Sequence, residues 1–142
     1  MANPYIQLSD ETMVVNGTRS YKKVKVLWND FSEGPVSQQV LDRAVNGNLL
    51  VSIGKTYRMW RGLFKIDASP ATGFAGKSDI EKWCTSSDAQ KRKLTMIDNY
   101  GSTHNVFILT PVEFKYGSPV PDGSTSFFLV PFEMQSQGPV TV

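Results

Sequence analysis

The stretch from Gly76 to Val106, GKSDIEKWCTSSDAQKRKLTMIDNYGSTHNV, carries the clear helix signal of this chain and leads through a charged loop into strand, turn and strand. Ser78 and Glu81 have capping-box spacing: the hydroxyl accepts from the N3 amide and the carboxylate reaches back to the cap residue's own N–H. Asp79 in the first turn complements the positive end of the helix dipole. Ile80, Trp83 and Cys84 stand at i, i+3 and i+4, which gives one apolar stripe. Ser86, Ser87 and Asp88 favour local side-chain bonds over helix continuation. The spacing therefore predicts one short helix over residues 78–86, with a stripe that needs a sheet to cover it.

The flanking sequence reads as strand and turn. Residues 5–8 and 12–15 are short apolar runs, and Asn16-Gly17 behind them is a hairpin signal. Residues 21–28 alternate, with Val24, Val26 and Trp28 on one face and Lys23, Lys25 and Leu27 on the other, the pattern of a half-buried strand. Residues 29–35 read as a loop, 37–44 as a strand in competition with a helical turn, and 49–53 as a strand between turns at Asn46-Gly47-Asn48 and Gly54-Lys55. Residues 57–66 form a long strand with Trp60, Phe64 and Ile66 on one face; Gly62 in its middle marks a bulge or a close backbone approach. Residues 67–76 are a loop. After the helix, strands are expected over residues 93–98, 103–110, 112–116 and 125–135, with a Pro- and Gly-rich loop at 117–124. Many strands, close-set turns and a single helix predict a mainly β protein. The expected form is one antiparallel β-sandwich or partly closed barrel domain over residues 1–142, with the helix packed on it.

Composition bounds the chemistry. A chain of 142 residues is one domain by length and buries enough surface to stand without staples. A formal charge of +2 is too small a bias to imply nucleic acid or an anionic membrane as partner. One cysteine, Cys84, excludes an intrachain disulfide, and one histidine, His104, removes most zinc sites and most His-based catalysis. No secretion signal or membrane-length apolar run is visible, so a soluble protein of a reducing cytoplasm, or one assembled there, is expected.

Several motifs compete with purely structural readings. Residues 71–78, ATGFAGKS, match the loose phosphate-binding loop between a strand and a helix start, with Ala71 where the stricter motif has Gly and Asp98 as a candidate magnesium ligand. The same residues are explained by a loop and a helix cap. Lys22-Lys23-Lys25 and Lys91-Arg92-Lys93 are basic clusters that can contact phosphates if they meet on one surface with exposed aromatics; a lysine-protected strand edge explains the first as well. Trp28, Trp60 and Trp83 can form a sugar-stacking platform, or pack in the core from the apolar faces of their elements. Cys84 and His104 make a thiol–base pair only if the fold joins them. Asn16-Gly17-Thr18 fits a glycosylation sequon and also a plain turn. No cofactor, metal or catalytic set is expected.

The order of these pieces resembles the small β-sandwich proteins of tailed-bacteriophage tails, in particular the N-terminal sandwich of distal tail proteins and related minor tail proteins. The matching pieces are the Asp-Ile-Glu-Lys-Trp helix at Asp79 to Trp83, a strand ending at the Asp98-x-x-Gly101 turn, the returning strand at 105–109 and the last apolar strand at 127–133. The resemblance covers the second half of the chain. It implies a non-enzymatic structural protein of the virion, assembled in the host cytoplasm, whose copies close into a ring, six-fold in order, and contact other tail proteins. Closed rings of this kind need a heterologous contact repeated about an axis. Loops and the C-terminal tail are the expected contact sites, with Asn29, Phe31, Glu33, Pro70, Phe74, Tyr116, Pro119, Pro121, Val140 and Val142 as interface candidates. Two other classes stand beside it: a monomeric carbohydrate- or peptide-binding β-sandwich, and a nucleotide-binding enzyme.

Overall fold

The computed structural model describes residues 3–43, 47, 49–109 and 111–140. The chain is mainly antiparallel β. Its strands are β1 (Tyr5–Asp10), β2 (Val14–Val15), β3 (Thr18–Arg19), β4 (Lys22–Val26), β5 (Ser32–Arg43), β6 (Leu49–Asp67), β7 (Leu94–Ile97), β8 (Thr103–Ile108), β9 (Lys115–Tyr116) and β10 (Phe127–Ser136). Two helices, α1 (Lys77–Thr85) and α2 (Ala89–Arg92), lie between β6 and β7. Strands run in the order β6-β4-β1-β7-β8-β10, and β10 returns to pair with β6, so six strands close into a barrel. Of the two architectures expected, the barrel is the one formed.

Alternation builds the core. Ile6 and Leu8, Val24 and Val26, Trp60, Phe64 and Ile66, and Val130, Phe132 and Met134 are all buried, and Phe64 stacks on Phe132 at 4.0 Å between ring centroids. Burying each such side chain is worth about 1.5–3 kcal/mol. Ile80, Trp83 and Cys84 of α1 join the same cluster, so the predicted stripe is covered by the barrel.

Asp10, the last residue of β1, is fully buried and holds α1 in place. Its carboxylate accepts from Trp83 Nε1 at 2.8 Å, from the Thr12 N–H at 2.7 Å and from the Thr12 hydroxyl, and pairs with Lys82 Nζ at 3.0 Å. Burial alone pushes this carboxyl up; the bonds from Thr12, Trp83 and Lys82 outweigh it and hold the group below the ordinary Asp range.

The structure corrects the sequence reading in several places, and of the strand expected over residues 112–116 only Lys115–Tyr116 forms. The helix begins one residue before the predicted Ser78: Gly76 is the cap, and Asp79, not Glu81, closes the first turn by accepting the Gly76 N–H at 3.0 Å. Asp88, expected only to stop the helix, caps α2 by accepting the Gln90 N–H at 3.0 Å. The expected 29–35 loop is a single 3-10 turn, Trp28–Asp30, from which β5 starts at Ser32, so Glu33 lies in a strand. Gly54-Lys55 is no turn: β6 runs straight through it. The Asn46-Gly47-Asn48 turn falls largely outside the described residues. Asn16 (φ 52°) and Gly17 (φ 78°) do turn a hairpin, the small β2–β3 ribbon.

Gly62 explains how β6 serves two neighbours on one edge. β4 pairs with Phe64 and Lys65, and β5 with residues up to Arg61, while β10 takes the other edge. The chain crosses from β4 to β5 directly opposite Gly62, where a Cβ would stand 3.3 Å from the Asp30 carbonyl oxygen, Phe31 Cα and Phe132 Cε1. This is the close backbone approach that the glycine predicted.

Two substitutions test this account by urea unfolding. Asp10→Ala is expected to cost roughly 3 kcal/mol, because it strands the buried Trp83 N–H and the Lys82 ammonium. Gly62→Ala is expected to cost about 1–2 kcal/mol through crowding. Wild-type stability in either variant would refute the corresponding contact.

Candidate interaction surface

The catalytic constellations do not assemble. His104 Nε2 lies 3.0 Å from Asp98 Oδ2, and its ring stands 4.9 Å from that of buried Trp60. The other Asp98 oxygen accepts from the Tyr100 and Ser102 N–H groups at 2.9 Å each, so this carboxylate organises the turn at Gly101. Burial pushes the Asp98 carboxyl up, but the His104 bond and the two backbone bonds hold it below the ordinary range. No Ser, Thr or Cys side chain bonds to His104 among the described residues. Cys84 is buried in the α1 stripe, where burial pushes its thiol up to about 11 and disfavours the thiolate, and no bond joins it to His104 among the described residues.

The phosphate-loop match also dissolves. The strands on either side of α1 belong to antiparallel pairings, not to a βαβ unit. Lys77 points its ammonium over the Phe114 and Phe128 rings at 5.1 and 5.3 Å, Phe74 bridges to Lys23, and Asp98 closes its own turn. The first basic cluster is divided: Lys22 pairs with Asp79 at 2.9 Å, Lys25 with Asp67 at 3.0 Å, and Lys23 covers Tyr5 and Phe74. In the second, Arg92 turns towards the Ile108 carbonyl oxygen at 3.4 Å. Trp60 and Trp83 are core residues; Trp28 is half-buried and donates to the Pro4 carbonyl oxygen at 3.3 Å.

The interface candidates separate by environment. Asn29, Pro70, Pro119 and Pro121 are exposed, and Tyr116 is exposed on β9 beside Phe128. Phe31 is half-buried against Trp28 and Phe132, while the Glu33 carboxylate accepts from Trp60 Nε1 at 2.7 Å. Val140 docks on its own chain, donating its N–H to the Thr56 carbonyl oxygen at 2.7 Å. Val142 lies outside the described residues.

Two surfaces stand out that sequence reading did not assemble. The first is the β5–β6 hairpin. β10 pairs with β6 from Met59 to Asp67, whereas residues 49–58 of β6 pair with β5 alone. Beyond the tail contact at Thr56 the ribbon continues to Leu49, about 20 Å at strand rise. The second is a cleft of about 350 Å³ on the outer face of β4 and β6, walled by Tyr5, Trp28 and Phe74 and rimmed by Lys25 and Lys65. Its walls come from distant segments, and of these Phe74 was an interface candidate and Trp28 a candidate for a sugar-stacking platform. No helix among the described residues is long and apolar enough to cross a membrane. Compared with known proteins, the chain matches no family model, and no curated protein is significantly similar to it.

Two measurements test these environments. Cys84 is expected to react with a thiol reagent at pH 8 at least about 100-fold more slowly in the native protein than in urea, since both burial and the scarcity of thiolate oppose it; equal rates would contradict its placement. Asp10 and Asp98 have depressed carboxyl pKa values in the folded state, so their stabilisation is complete above the unfolded Asp value of about 4 and is lost as pH falls through their folded values. Unfolding free energy is therefore expected to drop below about pH 4, and to drop less steeply in Asp98→Asn.

Proposed function

We propose that this chain is a non-enzymatic structural protein of a bacteriophage tail, a ring-forming component of the distal tail, tube or baseplate region. It acts in the virion by self-association and by contact with neighbouring tail proteins. The observation that supports this reading most is the β5–β6 ribbon. An isolated two-stranded ribbon is marginal in water and gains from a third strand or a packed face. Among the described residues the outer edge of β5 pairs with no strand of its own chain, which makes it a template for strand addition. Pro35 and the register shift between Ser37 and Gln39 interrupt that edge near the barrel, so the part offered to a neighbour is the distal one. The piecewise likeness to tail proteins in residues 79–133 points the same way.

The aromatic cleft favours a second reading, a monomeric carbohydrate- or peptide-binding module, for which binding by a protein that never self-associates is the distinguishing result.

Light scattering over a concentration series, with negative-stain imaging, tests the first reading. Uniform rings are expected from the full chain. A variant in which residues 38–54 are replaced by a short Asn-Gly turn is expected to keep the barrel's thermal transition and to need at least about 100-fold more protein to assemble, an effect of about 2.7 kcal/mol. A full chain that stays monomeric both alone and with its tail neighbours would defeat the reading.

A further inference from the structure

We propose that the aromatic cleft receives the Pro119–Asp122 tip of a second copy of this chain. The proposal rests on the self-assembly reading and names the contact that carries it.

The cleft is built for an apolar segment with an anion beside it. Tyr5 and Phe74 meet edge to face, 6.2 Å apart at 82°, and buried Val26 forms the floor. Trp28 is oriented by its bond to the Pro4 carbonyl oxygen. Two ammonium groups lie over these rings, Lys23 at 4.9 Å from the Tyr5 centroid and Lys25 at 5.3 Å from that of Phe74; Lys65 lines the rim, with its ammonium 4.7 Å from the Phe127 centroid. Lys25 shares its charge with Asp67, whereas Lys23 and Lys65 have no carboxylate within ion-pair distance among the described residues. The lining carries no carboxylate or amide side chain of the kind that fixes sugar hydroxyls; its polar side chains are the two lysines, Tyr5 and Trp28, whose indole N–H already donates to the Pro4 carbonyl oxygen. Such a site selects an anion-bearing apolar peptide over a glycan.

The tip has the complementary chemistry. Val120 is 48 % exposed, between Pro119 and Pro121, and the acidic Asp122 follows. It is held before it binds anything. The Val120 N–H donates to the Ser124 carbonyl oxygen and the Gly123 N–H to the Val120 carbonyl oxygen, both at 2.9 Å, and Gly123 supplies the φ of 86° that this turn requires. Asp122 Oδ1 accepts from the Ser124 N–H and hydroxyl at 2.9 and 2.8 Å, which leaves its other oxygen for a lysine. The turn bonds and the two prolines fix the tip's backbone in advance, and Val120 with the proline rings offers apolar surface to the aromatic walls. Little ordering entropy then remains to be lost on docking. Tip and cleft are different surfaces, so the contact passes from copy to copy and builds closed rings or open chains.

Charge reversal tests the contact in the full-length protein. Asp122→Lys and Lys65→Glu are each expected to raise the concentration for half-assembly at least 10-fold, and the double variant is expected to return it to within about 3-fold of wild type. Both sites are at the surface, and circular dichroism checks that each variant is folded. If the wild type assembles and neither single variant differs from it, the tip–cleft contact is wrong while the ring reading stands. If the wild type is monomeric at every concentration, a synthetic peptide of residues 116–126 is titrated against it while Trp28 fluorescence is followed. Saturable binding that Lys65→Glu weakens keeps the contact, and the ring reading is then decided by assembly with the tail neighbours. No binding, or binding that Lys65→Glu leaves unchanged, overturns the contact.

Discussion

The rest of the structure depends on the burial of one carboxylate. Asp10 has no exposed surface. A buried anion costs several kcal/mol unless its lone pairs are occupied and its charge is matched. The partners that meet this demand come from different parts of the chain: Thr12 from the turn after β1, and Lys82 and Trp83 from α1. Arg19 from β3 also donates to the Asp10 carbonyl oxygen at 3.2 Å, so the small ribbon is drawn to the same point. A helix as short as α1 is not stable alone. Its position follows from this one bond set together with the burial of Ile80, Trp83 and Cys84.

A second constraint sits in β6. One edge of that strand accepts β4 and then β5, and the changeover works because Gly62 leaves room for Asp30 and Phe31. The ribbon is therefore a continuation of a barrel strand and is not attached through a flexible loop. Its direction is set by the same β6–β10 pairing that closes the barrel. A load on the ribbon would reach Trp60, Phe64 and Ile66 along one unbroken backbone.

What was legible in the sequence was what local chemistry decides. The apolar stripe of α1, the alternation through Val24 and Val26 and the Asn16-Gly17 turn depend on near neighbours and read correctly, and Gly62 was legible as a close approach although the segments that approach it, at Asp30, Phe31 and Phe132, were not. The failures have physical reasons. Gly54 and Pro35 look like breakers, but an edge strand or a two-stranded ribbon tolerates both, because its outer hydrogen bonds are not required. The helix cap was misplaced because Ser78 attracts attention as a cap, whereas the working group is Asp79 reaching back to Gly76. Asp88 looked like a stop because the capping residue of one helix and the stop of the one before it have the same chemistry. The cleft was illegible for a different reason: Tyr5, Trp28, Lys65 and Phe74 are brought together by strand order, which no local pattern states.

Stability and proposed contact are separated in this molecule. The barrel interior and the Asp10 set hold the fold; the ribbon, the Pro119–Asp122 tip and the lysines at the cleft rim lie outside both. Trp28 and Phe74 are the exceptions, since each is half-buried and packs on its own chain while presenting a ring to the cleft. The lysines show how a weak net charge can still give a directed surface. Lys22 and Lys25 are matched by Asp79 and Asp67, so the positive character that remains around the cleft is local and short-ranged. Such a charge falls off within about 8–10 Å at physiological salt. It is too short in range to gather a polyanion from a distance, and it acts only after an apolar segment has already entered the cleft. Its effect is then on which acidic residue sits beside that segment, and so on the register in which one copy meets the next.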